Sequence, residues 1–177
     1  MLSPVKSFTI SLYLSNKPGV LNRVILVFSR RGWNIDSLSV SPDEDRLFSH
    51  CSIVASGDES TLFKIVAQLN KIVDVIYAQE HSADSVVSRE LALIKVACSP
   101  ARFHDLHKVL EGVLWKTVDE SVSTKTVEVV GTRDVINHVH ADLEAVLGVL
   151  EVVLTGAVAL VKGSAFTGKP ERKEHVA

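Results

Sequence analysis

The chain has 177 residues, with 19 Lys+Arg against 21 Asp+Glu for a formal net charge of −2, and 46% of its residues are hydrophobic. That composition excludes disordered and low-complexity classes, and the lack of a basic excess speaks against a nucleic-acid partner. The length suits one medium domain or two small ones. Aromatics are only 6% of the residues, so the core is expected to be aliphatic.

In chain order, Phe8–Leu14 alternates with period 2 and predicts a strand with one buried face. Asn16-Lys17-Pro18-Gly19 reads as a helix start, with Asn as a cap and Pro in the first turn. Val20, Leu21, Val24, Val27 and Phe28 then follow at helical spacing up to a stop at Gly32. Strands are expected at about 35–40 and 47–55 around the turn Pro42-Asp43-Glu44-Asp45. A second helix runs from the Asp58/Ser60 region through Leu69, and Val73–Tyr77 closes the half.

The second half repeats the order. It has a strand at Leu91–Cys98, a helix at Ala101–Glu111, and an antiparallel pair at Val113–Asp119 and Thr126–Val130. A helix capped near Thr132 then leads to a last strand at about 150–160, broken at Gly156. The fold class is therefore α+β, two consecutive ferredoxin-like βαββαβ units. Expected boundaries are residues 1–80 for the first domain, 81–88 for a linker, 89–163 for the second domain and 164–177 for a disordered polar tail. Units this small bury only about 60% of their chain surface and leave edges and one sheet face open. A homodimer is expected, the alternative being a monomer whose halves cover each other.

Cys51 and Cys98 lie in separate apolar stretches outside any CxxC pattern, which suggests reduced core thiols and a cytoplasmic location. The N-terminus lacks a signal-peptide pattern, and the most apolar run, Ala145–Val161, falls short of the roughly 20 residues a membrane span needs. No membrane role is expected. His104 with His107, and His138 with His140, have no convincing metal-ligand spacing and read as surface helix residues. His50 has no nucleophile motif beside it, and Glu90 and Glu111 have no obvious acid–base partner. GxSxG, HExxH, P-loop and GxGxxG motifs are absent. The pattern predicts a binding module without catalytic residues or a metal. An acylphosphatase-type reading fails because the loop after the first strand has no Arg.

One feature carries chemistry. Asn16–Gly19 joins the first strand to the first helix, where free N–H groups and the helix dipole suit a carboxylate. Gly19 permits close approach to the backbone, and Asn16 can meet an ammonium or a carboxylate. Asn34, at the start of the second strand, is a second candidate, at the same rim or across a dimer seam. The alternative is that Asn16 is only a cap and Asn34 only a turn residue.

These residues also carry a resemblance. Asn16-Lys17-Pro18-Gly19-Val20-Leu21 looks like the strand–helix junction of ACT domains, which bind amino acids. With Phe28-Ser29-Arg30-Arg31-Gly32-Trp33-Asn34-Ile35-Asp36-Ser37-Leu38-Ser39-Val40, Gln68–Val75, Arg89–Val96 and Val127-Glu128-Val129-Val130-Gly131-Thr132, the chain resembles the small regulatory subunit of acetohydroxyacid synthase (acetolactate synthase) over about residues 7–163. The resemblance implies a non-catalytic partner of a large catalytic subunit that holds thiamine diphosphate, Mg²⁺ and FAD. It implies activation of that subunit and feedback inhibition by a branched-chain amino acid, usually valine. By matching positions, Asn16, Gly19, Val20 and Leu21 would contact the effector, with Asn34 supplied by the facing chain of a dimer. The chain departs from the family pattern at Gly112-Val113-Leu114-Trp115, Leu154-Thr155-Gly156, Lys162-Gly163 and Ser49-His50, where arginines are usual. That departure motivates an alternative, a free-standing amino-acid-binding ACT protein that regulates another enzyme.

Overall fold

The computed structural model describes residues 6–163; the tail expected at 164–177 lies outside them. Two compact units are present, one of residues up to Ser88 together with the segment from Ala157, the other of Arg89–Gly156.

The first unit runs β1 (Lys6–Ser15), α1 (Val20–Ser29), β2 (Asn34–Pro42), β3 (Phe48–Gly57), α2 (Glu59–Leu69) and β4 (Val75–His81). Its antiparallel sheet has the order β2-β3-β1-β4, so β2 and β4 are the edges. The alternation read from the sequence puts Ile10, Leu12 and Leu14 of β1 on one face, with Cys51, Ile53 and Ala55 of β3. Val20, Val24 and Phe28 of α1 and Leu62, Ile65 and Leu69 of α2 close that core. Beyond α2, the Asn70 side chain donates to the Ala78 carbonyl at 2.8 Å and accepts from the Ala78 amide at 2.9 Å, which ties the helix end to β4.

The second unit has β5 (Val86–Ala97), whose first residues belong to the first unit, then α3 (Phe103–Val109), β6 (Leu114–Glu120), β7 (Thr124–Gly131), α4 (Arg133–Val146) and β8 (Val149–Leu154). The strands lie in the order β6-β7-β5-β8. Ala92, Ile94 and Val96 meet Val127 and Val129 beneath Leu106, Ile136, Val139 and Leu143. The Thr132 side chain accepts from the Val135 amide and caps α4 as expected. The last expected strand is two, β8 and β9 (Val158–Val161); β9 falls in the first unit, where the Ala157 amide approaches the Ser37 hydroxyl at 3.5 Å. Two βαββαβ units thus stand as the sequence predicts.

Several local readings change. Pro100–Arg102 is a 3₁₀ turn, so α3 begins later than Ala101. The fourth strand extends to His81, and β5 starts at Val86, within the segment read as a linker. Glu90 is buried and ion-paired: the Arg133 guanidinium holds its carboxylate at 2.8 Å.

Candidate functional site

The site is built where β1 hands over to α1. Gly19 has φ +82 and is the N-cap, so α1 starts at Val20 rather than at Pro18. This corrects the capping role expected of Asn16: no side chain caps α1. The reason is conformational, because the left-handed residue at Gly19 separates Asn16 from the first turn. The Val20 amide turns back to the Lys17 carbonyl at 3.3 Å and the Arg23 amide to Gly19 at 3.2 Å. Between them, the amides of Leu21 and Asn22 have no backbone acceptor among the described residues. A Cβ built on Gly19 meets nothing within 4 Å, so the space before this helix end is open.

Asn16 serves as a tether. Its amide donates to the Leu47 carbonyl at 2.9 Å, and its side-chain amide donates to the Arg46 carbonyl at 2.9 Å. Among the described residues, no donor meets its side-chain oxygen. Arg46, at φ 58, is the turn residue that presents this carbonyl. Nothing in the sequence marked it, since Arg is an unfavoured residue in that conformation. The same turn is braced by the Tyr13 hydroxyl, which donates to Asp43 at 2.9 Å, while the Tyr13 ring stacks on Phe48. Burial and the neighbouring Asp43 push the Tyr13 pKa up to about 12.

Charge at the rim is mixed, with cations and Asp74 on the helix side and Asp43, Glu44 and Asp45 on the turn that tethers Asn16. Arg23 pairs with Asp74 at 2.6 Å, Lys17 lies 3.9 Å from the same carboxylate, and no acidic residue occupies the first turn of α1. The cations and the helix end both favour an anion here.

The predicted residues are not all brought together. Val20 is 1% exposed and packs in the core, so only its backbone can face the site. Leu21 is half-buried beside it. Asn34 stands apart: it opposes Ser56 at one end of β3, whereas Asn16 bonds Leu47 just before the other end. β3 is 10 residues long, so these ends are about 30 Å apart at roughly 3.3 Å per residue. Asn34 and Asn16 therefore do not share a rim within one chain. The Asn34 side chain donates instead to Asp36 at 3.1 Å.

The opposite face of the first sheet is polar. Ser11, Ser52 and His81 are buried there, and Ser11 Oγ, Ser52 Oγ and His81 Nε2 have no hydrogen-bond partner among the described residues. Burial lowers the His81 pKa. Both cysteines are free and buried, as expected. His104 is exposed, and exposed His107 packs against the edge of Trp115 at 5.0 Å. Among the described residues, no group of His, Cys, Asp and Glu is placed to hold a metal ion, and no helix is long and apolar enough to cross a membrane.

With this geometry in place, the likenesses to known proteins are specific. The family profile described as AHAS small subunit-like ACT domain matches residues 10–77. The profile described as small subunit of acetolactate synthase matches residues 89–163. The acetolactate synthase small subunit of Mycolicibacterium smegmatis is 37% identical over 92% of this chain and 95% of its own length. The isozyme 3 small subunit of Salmonella typhimurium is 36% identical over 87% of this chain and 94% of its own. The crystal structure of the Thermotoga maritima small subunit superposes with a TM-score of 0.79 at 30% identity, covering 90% of this chain and 99% of that one. The chain belongs to the acetolactate synthase (acetohydroxyacid synthase) small-subunit family, the regulatory rather than the catalytic part of that enzyme.

Proposed function

We propose that this chain forms a homodimer that senses a branched-chain amino acid, valine first among them, and sets the activity of the acetohydroxyacid synthase catalytic subunit. The observation that carries the reading is the open, cationic helix end at Gly19, built to receive an amino-acid carboxylate. The Asn16 side-chain oxygen beside it suits the ammonium group.

The placement of Asn34 supports the dimer. β2 is an edge strand, and its Pro42 end opposes Ser49, the same end of the sheet as Asn16. Pairing β2 antiparallel with a second β2 about a two-fold axis carries Asn34 of one chain to the Pro42 end of the other. There it faces the partner's helix end. The pairing also removes an exposed edge strand.

Inhibition is then linkage. The effector favours one arrangement of the dimer, and the catalytic subunit is less active on that arrangement. Thiamine diphosphate, Mg²⁺ and FAD belong to the catalytic subunit in this reading, and the assembly works in the cytoplasm.

The test is inhibition of the reconstituted enzyme with Gly19→Asp in this chain. Asp tolerates the left-handed backbone better than most residues, and its side chain places a carboxylate in the open space. Valine inhibition is expected to disappear while complex formation and activation persist. Unchanged valine sensitivity would overturn the site.

A further inference from the structure

α1 carries a second feature along its flank. Between α1 and the end of α2 lies a groove of about 470 Å³ lined by the apolar Leu26, Val27 and Ile72, the cationic Arg23, Arg30 and Lys71, and Gln68. No carboxylate lines it. Arg23 is held by Asp74, whereas the Arg30 and Lys71 side chains have no acidic partner among the described residues. Arg30 is the C-cap of α1 and Lys71 follows the end of α2, so both cations stand at helix C-termini, where the dipoles favour them and bring their charge together. The chain as a whole is slightly acidic, so this positive charge is local. Leu26 is 41% exposed and Val73, beside the groove, 92% exposed, so apolar surface is offered together with charge.

We infer that this groove is the docking surface for an acidic, amphipathic segment of the catalytic subunit. The inference rests on the regulatory reading, which requires a surface where the two subunits meet. Carboxylates of the segment pair with Arg30 and Lys71, and its apolar side chains cover Leu26, Val27 and Ile72. The charge pattern supplies orientation and association rate, and the apolar lining supplies the buried area. α1 is 10 residues long, about 15 Å, and has the effector site at one end and this groove along its flank. Effector and catalytic subunit therefore both contact one rigid element, and each can alter the affinity of the other.

The experiment titrates the catalytic subunit with this chain and follows activation at low and high salt. It uses wild type, Arg30→Gln/Lys71→Gln, Arg30→Glu/Lys71→Glu and, as a control at an exposed position of α3 with the same net-charge change as the neutral pair, Lys108→Glu. The double reversal is expected to weaken association at least tenfold at low salt and to flatten its salt dependence, with the neutral pair intermediate and Lys108→Glu close to wild type. Calorimetric valine binding by the free variants is expected to match wild type, which also reports that they fold. Wild-type affinity in the double reversal, or an equal loss in Lys108→Glu, overturns the docking surface and leaves the regulatory reading standing. A wild-type chain that neither binds nor activates the catalytic subunit overturns both.

Discussion

Gly57 is where the indole of Trp33 lies: a Cβ on Gly57 would sit within 2.9 Å of Trp33 Cδ2 and closer still to two further ring atoms. The ring has no easy retreat, because it stacks on Phe8 at 6.1 Å and packs against the first core. The end of β3 is thus kept free of a side chain so that Trp33, just before β2, can cover the core. Gly57→Ala is expected to destabilise the first unit by about 1–3 kcal/mol through overpacking. The check is a double-mutant cycle in urea: Gly57→Ala should cost much less in a Trp33→Leu background. Equal costs in both backgrounds would show that the contact is not the cause.

The two cysteines should be chemically silent in the folded chain. Burial pushes the Cys51 thiol up to about 12. Burial also raises Cys98, with nearby Lys125 and Arg102 pulling partly the other way. Thiolate is the reactive form, so both should resist Ellman's reagent in buffer and react together on unfolding. Rapid labelling of either thiol in the native protein would contradict its placement in the core.

His81 gives the first unit an acid-side weakness. Burial lowers its pKa below the ordinary value of 6.5, so the unfolded chain takes up a proton that the folded chain refuses. By linkage its contribution is fully present above about pH 6.5, and is lost progressively as pH falls from there to the lowered folded value. Urea midpoints at about pH 7.5 and 5.5 should differ less for His81→Asn than for wild type. An unchanged pH dependence in the variant would remove His81 as the cause.

What was legible in the sequence was whatever follows from local periodicity. Alternation in Phe8–Leu14 gave β1 and its buried face, and the spacing of Val20, Val24 and Phe28 gave the inner face of α1. The capping of α1 was misread because Asn and Pro are good signals for a helix start, while Gly19 in a left-handed conformation moves that start past them. Asn34 could be read as same rim or dimer seam because only the pairing of β2 with β3 fixes which end of the sheet it occupies. Arg46 and the Asn70 clip were invisible for the same reason: their partners, Asn16 and Ala78, are brought to them by tertiary structure. The groove at Arg30 and Lys71 likewise joins residues from two separate segments of the chain.

The proposed effector site is built from two chains, with Asn16 from one and Asn34 from the other. The most direct measurement is valine calorimetry on Asn16→Ala, on Asn34→Ala, and on the two variants co-expressed so that mixed dimers form. Each variant alone should bind weakly or not at all. A mixed dimer has one site with both asparagines intact and one with neither, so random pairing should restore roughly a quarter of the wild-type sites. Binding by the mixture no better than by its separate components would show that the site is not shared between chains.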